Sequence, residues 1–495
     1  MNRMLFQDLV KGQYGRKIAY TDVSEITESN IVSVVGSCVG AFNFNKPIFK
    51  YLWDYKNGDQ PALYRRKTVR DDVNNKVVEN HAWEIVRFKN GQTYGEPVQF
   101  VSLVKDDKIN QAVDRLNNYM RVAGKATKDI NSGEWTSAVG TGFKAVQRTA
   151  NGAKVPFRIV APTPMNTFII YSRTTEEPLL AVQELKDENG EWYKLCFSET
   201  HEFQIKNGAL IALDEKDGIE VKSRLHAFGG IPIVEYPNNQ DRLSDIELVI
   251  TMLDAINNMQ SNRMDAIEQF VQSWVKFVNC EVDKNSFLDM KMAGALVVKS
   301  NNGSDNKADV DIMTQELNQT ESQVAKEDLW NNVLSISAIP NKQSNTGGDT
   351  QGAVELRNGW DFSKQAAKLK DPYIVEADKR LAMVALNIIR IEKGKDDCPL
   401  DVMDFDVQIN HSPTDNMQVK AQVLQLLLTA GIHPLIAIKV CGLWGDSEKV
   451  YLLSKPYLDV LHKTIDQVVE DAAEQEKKAK ELLEQKMKQG NAGKK

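Results

Sequence analysis

Between Ser244 and Trp274, apolar residues recur every three or four positions: Ile246, Val249, Leu253, Ile256, Met264, Ile267, Val271 and Trp274. That period is helical. Ser244 and Glu247 stand in capping-box relation and mark its start. A helix over 244–274 would be about 45 Å long at 1.5 Å per residue. Gln260 interrupts the stripe. Two readings of the stripe compete: a core helix of a globular domain, and a helix packing beside copies of itself in a ring.

The neighbouring segments narrow what this helix belongs to. After Trp274 comes a short irregular stretch to Asn318, with β-like Ala295-Leu296-Val297-Val298 and the polar loop Ser300–Asp305. Thr320 and Gln323 form a second capping-box pattern, opening a helix to about Ser337. Two helices flanking a small insert suggest a hairpin with a module at its tip. The polar stretch Ile339–Asp349 follows, and then a long helical pattern from Gln351 to Lys393. Pro372 inside that pattern predicts a bend.

Upstream, residues 1 to about 240 mix helices and strands. Val78, Ala82, Ile85 and Val86 predict a helix over 75–88, Val98–Val104 reads as a strand, and Ile109–Val122 as a helix. From Lys144 to Tyr236 the pattern is β: Phe157–Val160, Thr167–Tyr171 and Leu179–Val182 lie between turn residues. Downstream, Phe405–Ile409 reads as a strand. Helices are expected over 416–430, 434–440 and 447–488, the last ending in a mixed-charge run that reads as a solvated helix face. The fold class expected is α+β.

Chemistry is sparse. The six histidines, His81, His201, His226, His411, His433 and His462, show no metal-ligand spacing, and each reads first as a packing or surface residue. GxSxG, HExxH and DxDxDG patterns are missing. The pairs Asp71-Asp72, Asp106-Asp107 and Asp396-Asp397 are sequence neighbours whose side chains point apart. Gly347-Gly348-Asp349-Thr350-Gln351-Gly352 precedes a helix, but no Lys-Ser or Lys-Thr follows, so it is not a Walker A loop. It reads as a flexible lead into an N-cap at Asp349 or Thr350, or as a mobile loop facing DNA with Lys342 nearby. No catalytic, cofactor-binding or metal-ligating residue is predicted.

The five cysteines, Cys38, Cys196, Cys280, Cys398 and Cys441, are widely spaced and form no CxxC pair, which fits a reducing cytoplasm. The N-terminus lacks the apolar core of a signal peptide, and no apolar run reaches the roughly 18–20 residues of a membrane span. The net charge of −7 argues against a protein that coats nucleic acid over its whole surface.

Local patterns carry a resemblance. Asn74–Asn80 leading to Gly95-Glu96-Pro97-Val98, Phe228-Gly229-Gly230-Ile231-Pro232 through Asn238-Asn239, Ser244-Asp245-Ile246-Glu247, then Ser261, Asn262 and Asp265, and Ile336-Ser337-Ala338-Ile339-Pro340, resemble in order and spacing the portal proteins of long-tailed phages infecting Gram-positive bacteria. The resemblance covers roughly residues 70–440. Where that family commonly has Ser-Gly at the start of the long helix, this chain has Thr350-Gln351-Gly352.

The resemblance implies a ring, usually of twelve subunits, sited at the capsid portal vertex of the virion and assembled in the host cytoplasm. It implies a mixed α/β wing over 1–243, a first stem helix over 244–274 and a clip over 275–318. A second stem helix over 319–338 would follow, then a tunnel loop over 339–350, a kinked wing helix over 351–395, a wing strand and connector over 396–414, and a helical crown and tail over 415–495. Double-stranded DNA would pass the tunnel loop at Asn341, Lys342, Gln343, Ser344, Asn345 and Thr346. Lys299, Asn301, Asn302 and Lys307 of the clip would meet the terminase large subunit and the head-completion adaptor. Ile246, Val249, Leu253, Ile256, Ile267 and Val271 would pack the stem. Major capsid and scaffolding proteins are further implied partners, with no membrane. The alternatives are another oligomeric virion component, such as a scaffold or tail protein, or an enzyme with an unrecognised site.

Overall fold

The computed structural model describes residues 5–67, 73–104, 106–150, 153–216, 219–271, 274–278, 309–313, 319–341, 359–411, 417–444 and 447–461. The chain divides into two units, residues 1–411 and 412–495.

The first unit opens with a short helix α1 (Phe6–Val10), strand β1 (Ala19–Thr21) and a long helix α2 (Ile31–Lys56). Helix α3 (His81–Tyr94), strand β2 (Gln99–Ser102), and helices α4 (Asp107–Val122) and α5 (Lys125–Val139) follow. The helix expected over 75–88 therefore starts later. Asn80 caps it by accepting from the Trp83 amide at 3.3 Å, and residues 75–80 before it are not helical. Asp106 caps α4 by accepting from the Lys108 amide at 2.7 Å.

Then come β3 (Thr141–Arg148), β4 (Phe157–Val160), β5 (Thr167–Ser172), β6 (Pro178–Lys186), β7 (Trp192–Phe197), β8 (His201–Lys206), β9 (Ala209–Leu210), β10 (Asp214–Lys216), β11 (Ile219–Val221), β12 (Ser223–Leu225) and β13 (Ile233–Pro237). Seven strands make one sheet in the order β1-β5-β6-β7-β8-β12, with β9 beside β8; β1 joins β5 in parallel, and the later neighbours are antiparallel. A three-stranded sheet, β13-β3-β4, lies alongside. Strand β3 is buried on both faces. Phe143 and Ala145 meet Ile169 and Ala181 of the larger sheet, while Val146 joins the core on the other side, as the two-residue alternation of a strand requires.

After a 3₁₀ turn at Glu247–Val249 comes α6 (Ile250–Val271), then β14 (Trp274–Val278), β15 (Asp309–Met313) and α7 (Gln319–Ile336). The helix expected over 244–274 is thus shorter at both ends, and Trp274 opens a strand. The stretch read as irregular contains two paired antiparallel strands, with Trp274 opposite Met313. Ala295–Val298 lies outside the described residues.

The single bent helix expected after Gln351 is instead two helices over its described part: α8 (Trp360–Lys368) and α9 (Asp371–Lys393). Pro372 sits in the first turn of α9, where its missing N–H costs nothing. Strand β16 (Phe405–Gln408) pairs antiparallel with β2. Helix α9 lies against β3, β13 and β16 and supplies Leu381, Ala385, Ile388 and Ile389 to the largest core.

The second unit contains α10 (Met417–Thr429), α11 (Pro434–Cys441) and α12 (Ser447–Leu461). His433 caps α11 through its ring nitrogen, which accepts from the Leu435 amide at 3.2 Å. The continuation of the last helix to residue 488 lies outside the described residues. No described helix is long and apolar enough to cross a membrane.

Candidate assembly site

The start of α6 is built by the residues just before it. Asn238 donates to the Leu243 carbonyl at 2.8 Å and to Asp245 at 3.1 Å, while Asn239 accepts from the Leu243 amide at 2.8 Å. Half of the predicted capping box forms as drawn: the Ser244 amide donates to Glu247 at 2.6 Å. The other half is displaced by one residue, because Ser244 Oγ accepts from the Ile246 amide at 3.2 Å. Glu247 also takes both terminal nitrogens of buried Arg16, at 3.1 and 2.8 Å. Asp245 accepts from Lys370 at 2.7 Å and from the Ser137 hydroxyl at 2.6 Å. Burial alone would raise the Asp245 carboxyl; Lys370 and Lys89 outweigh it and hold the carboxyl below its ordinary range.

The apolar stripe of α6 serves the chain's own core. Ile246, Val249, Leu253 and Ile256 are buried with Val333 and Leu334 of α7 and with residues of α2 and α3. Further along, Met264 and Ile267 are about two-fifths exposed, at 38% and 39%. The side chain of Val271 lies outside the described residues.

A second stripe on α6 is polar and buried. Asn257, Ser261 and Asp265 are each four residues apart and no more than 2% exposed. An extended segment runs along them in the opposite direction. The amides of Glu79, Val77 and Asn75 donate to Asn257, Ser261 and Asp265 at 2.8, 3.0 and 2.6 Å. Two extended residues advance about 6.6–6.8 Å and four helical residues about 6.0 Å, so the two periods run nearly in step. Asp265 also pairs with Arg65 at 2.8 Å and Lys67 at 2.5 Å, and Asn262 accepts from Arg65 at 2.8 Å. Two residues that the resemblance singled out, Ser261 and Asp265, therefore hold a strap against the helix, and the third, Asn262, holds Arg65. Gln323, expected to cap α7, instead accepts from Arg263 of α6 at 2.7 Å.

Of the residues placed at the DNA-facing loop, Asn341 is described, and its amide donates to Asn331 of α7 at 3.1 Å. Lys342, Gln343, Ser344, Asn345 and Thr346 lie outside the described residues, as do Lys299, Asn301, Asn302 and Lys307 and the Gly347–Gly352 loop.

The five described histidines have local partners. His81 lies between Glu79 and Glu84, at 3.1 and 3.3 Å. His411 lies between the Gln92 carbonyl and Asp371, at 3.0 and 2.7 Å. His226 meets the Ser198 carbonyl at 2.9 Å, and His201 the Thr200 hydroxyl at 2.8 Å. His433 is the cap of α11. Among the described residues, no group of three His, Cys, Asp or Glu could hold a metal ion. The four described cysteines are buried and unpaired.

A buried charge cluster in the first unit was not anticipated. Lys125 bridges Asp129 and Asp378, each at 2.7 Å. Lys144 pairs with Asp378 at 3.0 Å and with Asp129, and the Tyr236 hydroxyl donates to Asp378 at 2.7 Å. Burial disfavours the Lys144 charge, yet the two carboxylates win and raise its pKa; burial likewise opposes the Asp378 charge, and the two lysines hold that carboxyl low. With each of these charges paired out of water, the cluster ties α5, β3, β13 and α9 together. Its trace in the sequence is a lysine inside the apolar run Phe143–Val146 and an i, i+4 pair at 125 and 129.

The site is thus a helix pair that carries a small antiparallel strand pair, mounted on a mixed α/β body. The chain belongs to the SPP1 Gp6-like phage portal protein family, whose model matches residues 43–481. It is thus a virion structural protein with a portal or connector role. No curated protein matches its sequence. Two solved structures resemble it weakly. A chain from the neck of an empty GTA particle is 11% identical, covering 75% of this chain and 89% of that one, with a TM-score of 0.42. A chain from the neck of the native GTA particle is 12% identical, covering 73% and 89%, with a TM-score of 0.39. Likenesses at this level carry no weight for function.

Proposed function

We propose that copies of this chain close into a ring, of twelve subunits by the family's habit, through which double-stranded DNA enters and leaves the capsid. The observation that carries the reading is the family match, which spans residues 43–481. Helices α6 and α7 would be the stem, β14 and β15 the base of the clip, and residues 339–350 the tunnel loop. The clip would receive the terminase large subunit during packaging and the head-completion adaptor afterwards, with Lys299, Asn301, Asn302 and Lys307 in contact. Major capsid and scaffolding proteins would surround the wing.

The charge supports a channel that does not grip. Every Lys or Arg contact to phosphate tightens binding by counterion release, and a net charge of −7 provides no general excess of such contacts. Heterologous contacts between copies close into a ring when the rotation between neighbours allows it.

Negative-stain electron microscopy of the purified full chain, with its mass in solution, tests the reading. Rings with a central hole and a mass near a dozen subunits are expected. A monomer or a small dimer at high protein concentration would overturn it.

A further inference from the structure

The two stem helices are joined differently at their two ends. Near the body of the chain the junction is apolar: Val333 and Leu334 of α7 are buried with Leu253 and Ile256 of α6 and with Ile339. Toward the clip the character changes. From Thr320 to Asn332, α7 has no buried side chain. Polar contacts hold this half, together with Leu329 and Trp330, which are partly buried against the edge of the apolar core. One polar contact runs directly to α6, from Arg263 to Gln323.

Two further contacts, one of them a ring stack, run to the strap. Lys326 donates to Glu79 Oε1 at 2.5 Å, and the Trp330 indole stacks on the His81 ring with centroids 3.9 Å apart. The strap therefore touches both helices at once, α6 through its amides and α7 through its side chains. Glu79 is the junction. Its amide bonds Asn257 of α6, one carboxylate oxygen takes Lys326 of α7, and the other faces His81 at the start of α3.

We propose that the segment Asn75–His81 is a latch on the stem: it sets the splay between α6 and α7, and with it the placement of the β14 and β15 strands that the two helices carry. The latch lies outside the apolar core. Its contacts with α7 are side-chain contacts at partly exposed groups, with 23% of the Glu79 side chain and 21% of that of Lys326 accessible. Contacts of this kind open locally, below the free energy of global unfolding. Releasing them frees the clip-side part of α7 as far as Leu329, which with Val333 and Leu334 keeps the helix rooted in the core. The role assigned to this motion rests on the portal reading, in which α6 and α7 are the stem; the latch itself does not.

Hydrogen–deuterium exchange on the full chain tests it, comparing wild type with Glu79→Ala and Lys326→Met. In Glu79→Ala, exchange at residues 320–328 and at the amides of residues 77 and 79 is expected to rise about tenfold or more, with α5 and α9 unchanged. In Lys326→Met, α7 is expected to loosen while the Val77 and Glu79 amides stay protected by Ser261 and Asn257. Wild-type exchange in α7 of both variants would overturn the latch, and so would an equal rise everywhere, which would make the strap part of the core. Electron microscopy of the same samples separates the two ideas. Rings with unchanged α7 exchange would sink the latch alone, and wild-type protein without rings would sink the portal reading alone.

Discussion

Lys89 is a lysine at 9% exposure, and burial pushes its amino group down to about 8, with Asp245 pulling it up and Lys370 opposing. Its ordinary value is 10.5, so between pH 8 and 10.5 the unfolded chain binds more protons than the folded one. Stability contributed by this group rises with pH across that window and is at its lowest below it. Lys89→Met is expected to stabilise the protein at pH 7 by on the order of 1–3 kcal/mol and to flatten the rise, checked by denaturant midpoints at pH 7 and pH 10. The opposite sign is expected at Asp378. Removing it leaves Lys125 and Lys144 sharing one carboxylate, and Asp378→Ala should cost about 3–5 kcal/mol. A double variant with Lys125→Met should recover part of that loss, because one orphaned charge goes with it; urea denaturation of the three variants reads this directly. None of this was legible from spacing. A lysine in an apolar run reads as a surface residue until the strand is known to be covered on both faces.

At the scale of elements, amphipathic segments were legible and boundaries less so. Strands β4 and β5, helix α4 and strand β16 fall where the apolar patterns put them, because β4, α4 and β16 each turn one face to a core and β5 is an apolar run buried on both faces. The helix predicted over 75–88 failed at its start: Val77 and Val78 precede an Asn-capped helix, and their segment finds its backbone partners on the side chains of α6. Trp274 continues the stripe of α6 in sequence yet begins β14, since pairing with β15 outweighs helical period. One glycine fixes how α6 is approached. Gly140 ends α5 at φ +95°, and a Cβ there would lie 1.8 Å from the Arg242 carbonyl oxygen, a backbone atom that cannot give way cheaply. Gly140→Ala is expected to destabilise the protein by at least about 1–3 kcal/mol and to lower its thermal midpoint, because strained φ and steric contact act together. Ser261→Ala removes the hydroxyl that accepts from the Val77 amide, and a loss of about 1–2 kcal/mol is expected by chemical denaturation.

For the molecule as a whole, a net charge of −7 provides no general DNA-binding surface, in keeping with the proposed channel. Purified rings are expected to shift a duplex weakly in a gel assay at physiological salt. Tight binding that falls steeply with added salt would contradict the channel reading, because that slope counts phosphate contacts.

By itself the sequence determined the class of structure and the order of its parts. Helical period, turn residues and the spacing of Phe228–Asn239, Ser244–Glu247 and Ser261–Asp265 are local properties, and each survives in the fold with a named partner. Only the tertiary structure decided what the polar residues are for. Nothing local marks Asp265, Ser261 and Asn257 as buried, or pairs Lys144 with Asp378. Their partners lie between 178 and 200 positions away in the first set, or come from four separate elements in the second. Burial of a polar group is permitted by the partner it meets, and that partner is set by how distant segments pack, which no local pattern contains.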